Sequence, residues 1–256
     1  VLTGVNFGRG LPSAMALAGT PITSVGDLDN VGLMTGIEED ARRNLALDLF
    51  NKMYSPAVGT GPVMEYLAQT GSDVLTGADI LKKAPESYTS EVEYADNPIS
   101  KSLKSAAQVM FAGIGTRVFY TQHQSFDTHS NELLAHAKLW QDVSSALSDF
   151  TDDLKEHDRF DDTIIFVFSE FGRRIRDNVT GSDHGSGGVA FAIGGQVNGG
   201  LYGAVPSLEE KDQSEGDLHF NNDFRSSYAT ILDRWLGLDP DPIVNGQFEQ
   251  FDFIGK

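Results

Sequence analysis

The chain holds six histidines, His123, His129, His136, His157, His184 and His219, and their neighbours sort them. In "QSFDTHSN", Asp127 and His129 are two apart, and in an extended segment side chains at i and i+2 project to the same side, so both can reach one ion. In "GSDHGSGG", Asp183 and His184 stand among glycines that let a backbone bend closely around a ligand. Glu170 closes the apolar run "DDTIIFVFSE", at the carboxyl end of an expected strand, which is the edge where open α/β sheets bind ligands. Asp127, His129, Glu170, Asp183 and His184 thus form a mixed nitrogen and oxygen set that suits zinc first, with manganese, iron or calcium as alternatives. Three protein ligands leave a position open for water or for a phosphoryl or sulfuryl oxygen. Arg173, in "GRRIR", is a candidate contact for an anionic substrate, although Arg173, Arg174 and Arg176 equally read as surface charge.

Plainer readings stand beside these. Asp127, Thr128 and Ser130 all precede a long helix and are suited to capping it, while "SDHG" alone reads as a polar turn. His136 falls on a helix flank and His157 at the helix end. "GIGTR" at 113–117 follows a helix and precedes a strand, the wrong order for a phosphate loop, so it is a turn. There is no G-x-S-x-G elbow, and with no cysteine there are no disulfides, thiolate sites or cysteine nucleophiles.

The elements that must position these residues alternate between helix and strand. Residues 1–37 are rich in Gly and Pro with short apolar pieces, which predicts loops and short strands. "EEDARRNLALDLFNKMY" (38–54) has leading acids and helical spacing, and two more short helices are expected within 61–84. The polar stretch "ESYTSEVEYADNPIS" breaks the pattern. "SKSLKSAAQVMFAG" predicts a helix stopped by Gly113, and "TRVFYTQ" a strand. Residues 130–157 predict the longest helix, with Leu133, Trp140, Val143, Leu147, Phe150 and Leu154 on one stripe. "DDTIIFVFSE" is apolar enough for a strand covered on both faces of a parallel sheet, "GVAFAIGG" predicts another strand, and "NDFRSSYATILDRWLG" a last helix capped at Asn222 or Asp223 and stopped by Gly237. The expected class is therefore α/β.

Charge limits the partners. With 37 acidic and 19 basic residues the net charge is −18, which repels a phosphate backbone and argues against nucleic acid, while a bound metal still admits a small anionic ester. No stretch is long and apolar enough to span a membrane. The chain begins at Val1 without a signal-like segment, which predicts a processed or truncated product.

With "FDTH", "SEFGRR" and "GSDHG" in that order, flanked by "LKSAAQVMFAGIGTRVFY", "GGLYGAVPSL" and "DFRSSYATILDRWLG", the sequence resembles the exported bacterial domain-of-unknown-function family numbered 1501. That family carries twin-arginine signals and is placed in the alkaline phosphatase and sulfatase superfamily. The resemblance implies a three-layer alkaline-phosphatase-like fold with a mostly parallel sheet, the N-terminal part of its core missing. Residues 1–95 would be a helical and loop segment, and 96–256 the metal-binding half of that single domain. Asp127 and His129 match the superfamily's Asp/His pair, with one residue between them rather than three, and His184 matches the late His before a strand. Glu170 then takes the place of the strand-end Asp and Phe171 that of its His, which phenylalanine cannot serve. A rival register puts Asp183–His184 on the Asp-His pair and makes His219 the late ligand. The superfamily's early aspartate and nucleophile would lie upstream of Val1; only Thr3, Ser13 or Thr20 could be invoked within residues 1–37.

The implied function is metal-dependent hydrolysis of phosphate or sulfate esters by an exported, periplasmic or extracellular protein, with an upstream fragment of the same protein as a candidate partner. The alternative is a non-catalytic extracellular binding or surface-assembly protein on a hydrolase fold.

Overall fold

The computed structural model describes residues 2–17, 20–26, 28, 37, 39–53, 61, 77 and 81–255. The chain divides into two compact units, Val1–Gln124 with Gln141–Glu156, and Ser125–Trp140 with His157–Lys256. Most of the short helices expected within 61–84 lie outside the described residues.

The first unit is built on three parallel strands, β1 (Gly4–Phe7), β2 (Ile22–Val25) and β3 (Val118–Thr121), in the order β2-β1-β3. β1 is buried at every position, as a central strand with two neighbours should be. Helix α1 (Asp40–Met53) carries the acid-led segment. Helix α2 (Pro98–Phe111) packs on β1 and β3 through Ile99, Leu103, Ala106, Ala107 and Val109, a helical stripe of small and aliphatic side chains. Its start follows from Asn97, whose side chain accepts from the Ser100 amide at 2.8 Å, and from Pro98 at the first helical position. Its end follows from Gly113 at φ +65°, so "GIGTR" is the turn its composition predicts.

Helix α3 (Glu132–Glu156) is the longest, and its C-terminal half belongs to this first unit. Val143, Ala146, Phe150 and Leu154 are buried along it at helical spacing, whereas Leu133, at the head of the expected stripe, is 85% exposed. A flanking acidic stripe of that half has its own task. Asp149, Asp153 and Glu156, at i, i+4 and i+7, accept hydrogen bonds from the Ala95 amide (2.9 Å), the Tyr88 and Tyr94 hydroxyls (2.8 and 2.6 Å), and the Ser90 hydroxyl with the Glu91 amide. The irregular stretch that breaks the sequence pattern is thereby strapped to a helix by three carboxylates. Asp153 is fully buried, and burial followed by its carboxylate pushes both phenols well above the ordinary tyrosine range.

The second unit contains two antiparallel pairs: β4 (Ile165–Val167) with β7 (Phe191–Ile193), and β5 (Gly172–Asp177) with β6 (Ser182–Gly185). The class is mixed α/β as the sequence predicts, but among the described residues parallel pairing is confined to three strands and the apolar run at 161–170 lies in an antiparallel pair. A continuous apolar run reports cover on two faces and says nothing about the partner's direction. Here the cover is partial: Phe166 and Phe168 lie against Tyr228 of α4 (Phe224–Thr230). Asp223 caps α4 by accepting from the Arg225 amide, and the Arg225 guanidinium holds its carboxyl down at about 2. A wider turn over Ile231–Trp235 continues α4 to Gly237 at φ +65°, and α5 (Asp241–Val244) follows.

Replacing Tyr94 by Phe removes one of two hydroxyl donors from a buried carboxylate. The expected loss is about 1–3 kcal/mol in denaturant unfolding, against a much smaller change for an exposed control such as Tyr202→Phe.

Candidate metal centre

The centre begins with two turns of backbone. Segment 126–132 leads into α3, and the β5–β6 hairpin reaches it with its tip, Asn178–Gly181. The Ser182 amide donates to Thr128 O at 3.4 Å, the Glu132 amide to Thr180 O at 2.9 Å, and the Ser182 hydroxyl to the Glu132 carboxylate at 2.7 Å. The N–H at the start of α3 is thus satisfied by the hairpin, which leaves the Asp127 side chain for another use than capping. "SDHG" is a strand of this hairpin, and the turn lies just before it.

Glycine makes the approach possible. A Cβ on Gly181 would sit 2.6 Å from His129 O, one on Gly172 2.6 Å from Gly185 O, and one on Gly185 2.7 Å from the Arg174 amide nitrogen and against the Asp217 carboxylate. Asp217 braces the hairpin from its other side, accepting from the amides of Ile175 (3.3 Å) and Ser186 (3.3 Å). The ring of Phe126 meets Trp140 edge-on at 5.5 Å, and Trp140 meets Phe191 at 5.6 Å, which anchors the residue directly before Asp127.

Three side chains then converge. Asp127 Oδ1 lies 2.7 Å from His184 Nε2 and 2.9 Å from His129 Nε2, and ligand atoms from all three lie within 4.8 Å of one another. Their side chains are about half exposed, at 57%, 49% and 49% for Asp127, His129 and His184. Asp183 stands behind His129, its Oδ1 3.1 Å from Nδ1, and the Asn178 amide donates to that same oxygen at 3.1 Å and to His129 O at 3.1 Å. A carboxylate on Nδ1 fixes the imidazole so that Nε2 faces the cluster, the arrangement by which metal-binding histidines are commonly oriented. The hydrogen bond from His184 holds the Asp127 carboxyl below its ordinary range, and those from His129 and then Asn178 do the same for Asp183.

The donor set fits a divalent cation. Two imidazole nitrogens, each within hydrogen-bonding distance of one carboxylate oxygen, are the groups that zinc, manganese and iron share, and their exposure leaves room for an exogenous oxygen. Glu170, by contrast, is exposed at the bend after β4 and outside this cluster. His219 is exposed too, bonds to Phe220 O at 2.9 Å and stacks on the Phe220 ring, likewise outside it. Phe171 lies flat on the His184 ring, 4.2 Å away at 16°. Arg173, expected at an anion, is turned into the protein: its guanidinium donates to Phe126 O, Thr128 Oγ1 and Ser182 O.

Sequence reasoning passed over Asn178 and Asp217. Asn178 could have been found from the turn composition of "DNVTG"; Asp217 reaches the hairpin through the Ile175 and Ser186 amides, which only folding brings to it.

Fold and cluster together define an α/β protein with an exposed imidazole–carboxylate centre between a helix-leading segment and a β-hairpin. The chain belongs to the family described as protein of unknown function (DUF1501), whose model matches residues 39–247 and so covers every residue of the centre. No curated protein and no solved structure matches it.

Two outcomes are expected of the centre's construction. Gly185→Ala forces a Cβ into backbone and should cost about 1–3 kcal/mol in chemical denaturation, more than Gly199→Ala, whose Cβ meets nothing within 4 Å. Because Asp127 and Asp183 have folded-state pKa values below the ordinary 3.8, the stability they contribute is in place above that pH and is lost as pH falls through the lowered values. An acid titration followed by circular dichroism should therefore show a shallower decline for Asp183→Asn than for the parent.

Proposed function

We propose that this chain carries the metal-binding part of an exported hydrolase of phosphate or sulfate esters. The observation that carries the reading is the single carboxylate of Asp127 set between the Nε2 atoms of His129 and His184, open to solvent, with Asp183 and Asn178 orienting one imidazole from behind. Asp127, His129 and His184 would hold a divalent cation, zinc before manganese, iron or calcium. When bound, the cation supplies Lewis acidity toward an ester oxygen and lowers the pKa of a coordinated water. The protein's own part is to bind and orient. Asp183 keeps Nδ1 of His129 engaged, Phe171 covers one face of His184, and the acidic surface leaves the cation as the local attraction for an anionic ester. Thr3, Ser13 and Thr20 all belong to the first unit, so the centre's own unit offers none of the three hydroxyls considered as nucleophile.

A second reading, a non-catalytic binding or surface-assembly protein, has one observation in its favour. The loop between β7 and α4 exposes Leu201 (98%), Val205 (91%), Leu208 and Phe220, and α4 opens on the exposed Phe224; side chains of that kind serve contact between macromolecules better than they serve ester chemistry.

Metal analysis of chelator-treated protein after reloading decides between them together with turnover of aryl phosphates and sulfates. The expected result is about one cation per chain, affinity reduced more than about 100-fold by His184→Ala or His129→Ala, and turnover lost with it. Uptake unchanged in both variants would remove the site; stoichiometric uptake without turnover of either ester would favour the binding protein.

A further inference from the structure

Arg173 stands where two ligand-bearing segments meet, and every polar contact of its guanidinium is to one of them. One Nη donates to Ser182 O, two residues before His184. The other donates to Phe126 O at 2.6 Å and to Thr128 Oγ1 at 3.2 Å, the residues on either side of Asp127. Its backbone is the cross-strand partner of His184 and exchanges hydrogen bonds with Gly187 at 2.7 and 2.9 Å. Its guanidinium carbon also lies 4.9 Å above the Phe171 ring, whose other neighbour is the His184 imidazole at 4.2 Å. A single planar cation therefore reaches Asp127 through both flanking residues and His184 through both its strand and its ring.

We infer that Arg173 is a positioning residue, which locks the Asp127 segment and the His184 strand into one frame. This rests on the proposed metal centre for its functional meaning, but the frame itself is a property of the metal-free chain. The chemistry explains why arginine stands there. The acceptors on the two segments lie in different directions, and a rigid guanidinium fork serves both at once, whereas a lysine ammonium is a point charge on a flexible stem. The fork also supplies a flat cationic face to Phe171, which an ammonium supplies less well.

Arg173→Lys keeps the charge and removes the fork; Thr128→Val removes one acceptor and is the milder companion. Arg234→Lys is the control, since Arg234 makes a comparable clasp on Gln250, Asp252 and Ile254 away from the centre. Amide hydrogen exchange on the metal-free protein reads the frame at Thr128, Glu132 and Ser182, with Asn198, bonded to Phe253 O at 2.8 Å, as the remote reporter. In Arg173→Lys the three amides are expected to exchange about tenfold faster or more, together, with Asn198 unchanged. Thr128→Val should give a smaller change centred on Thr128. Uniform acceleration that includes Asn198, or acceleration confined to one segment, overturns the inference. Zinc titration gives the second reading: affinity falls about 10–100-fold in Arg173→Lys and not in Arg234→Lys, and cobalt(II) in place of zinc shows an altered visible spectrum only in the former. Parent-like zinc affinity and cobalt spectrum in Arg173→Lys overturn the positioning role. Failure of the parent to take up zinc or cobalt would instead remove the metal reading, and the exchange data would still decide the frame.

Discussion

Asp127 and His184 are 57 residues apart in sequence, yet their side chains must meet to within a hydrogen bond. That meeting depends on the docking of the β5–β6 hairpin onto the segment that leads into α3. The docking is made of polar contacts between backbones, held by an arginine fork, a serine–glutamate bond and an asparagine side chain. Such contacts are directional, so they specify a relative placement more sharply than apolar burial does. They also require that no side chain intervene, which is why Gly172, Gly181 and Gly185 surround the joint.

The two units are stabilised differently. In the first, buried aliphatic and aromatic residues from β1, α2 and the second half of α3 make a conventional core. Among the described residues of the second, the buried apolar side chains are Ala229, Phe253 and Ile254, and the centre rests on hydrogen bonds and a Phe126–Trp140–Phe191 ring cluster. A cation bound by residues from both the leading segment and the hairpin would couple ligand affinity to the order of this unit, because the ligands are assembled only when the hairpin is docked.

A strained residue lies at the same joint. Val179, at the hairpin tip, is a β-branched residue at φ +90° and is 90% exposed, a conformation that its own side chain opposes. Its neighbours explain its persistence: Asn178 accepts from the Gly181 amide at 3.0 Å and donates to both His129 O and Asp183, so the tip is held by what it does for the imidazole.

Much was legible in the sequence alone. Helix α2 could be placed from the spacing of its apolar residues and Gly113, α4 from Asp223 and Gly237, and the ligand candidates from the scarcity of histidine and its pairing with aspartate, because these signals are local and act within a turn or two of chain. Tertiary structure alone decided the rest. It gave the apolar run at 161–170 an antiparallel partner, since a run of β-branched and aromatic residues carries no information on strand direction. It gathered Asp127, His129 and His184 while leaving Glu170 and His219 outside, and it turned Arg173 inward. Those outcomes depend on which backbone carbonyls arrive beside a side chain. Every residue type offers the same carbonyl, so no composition or spacing announces it.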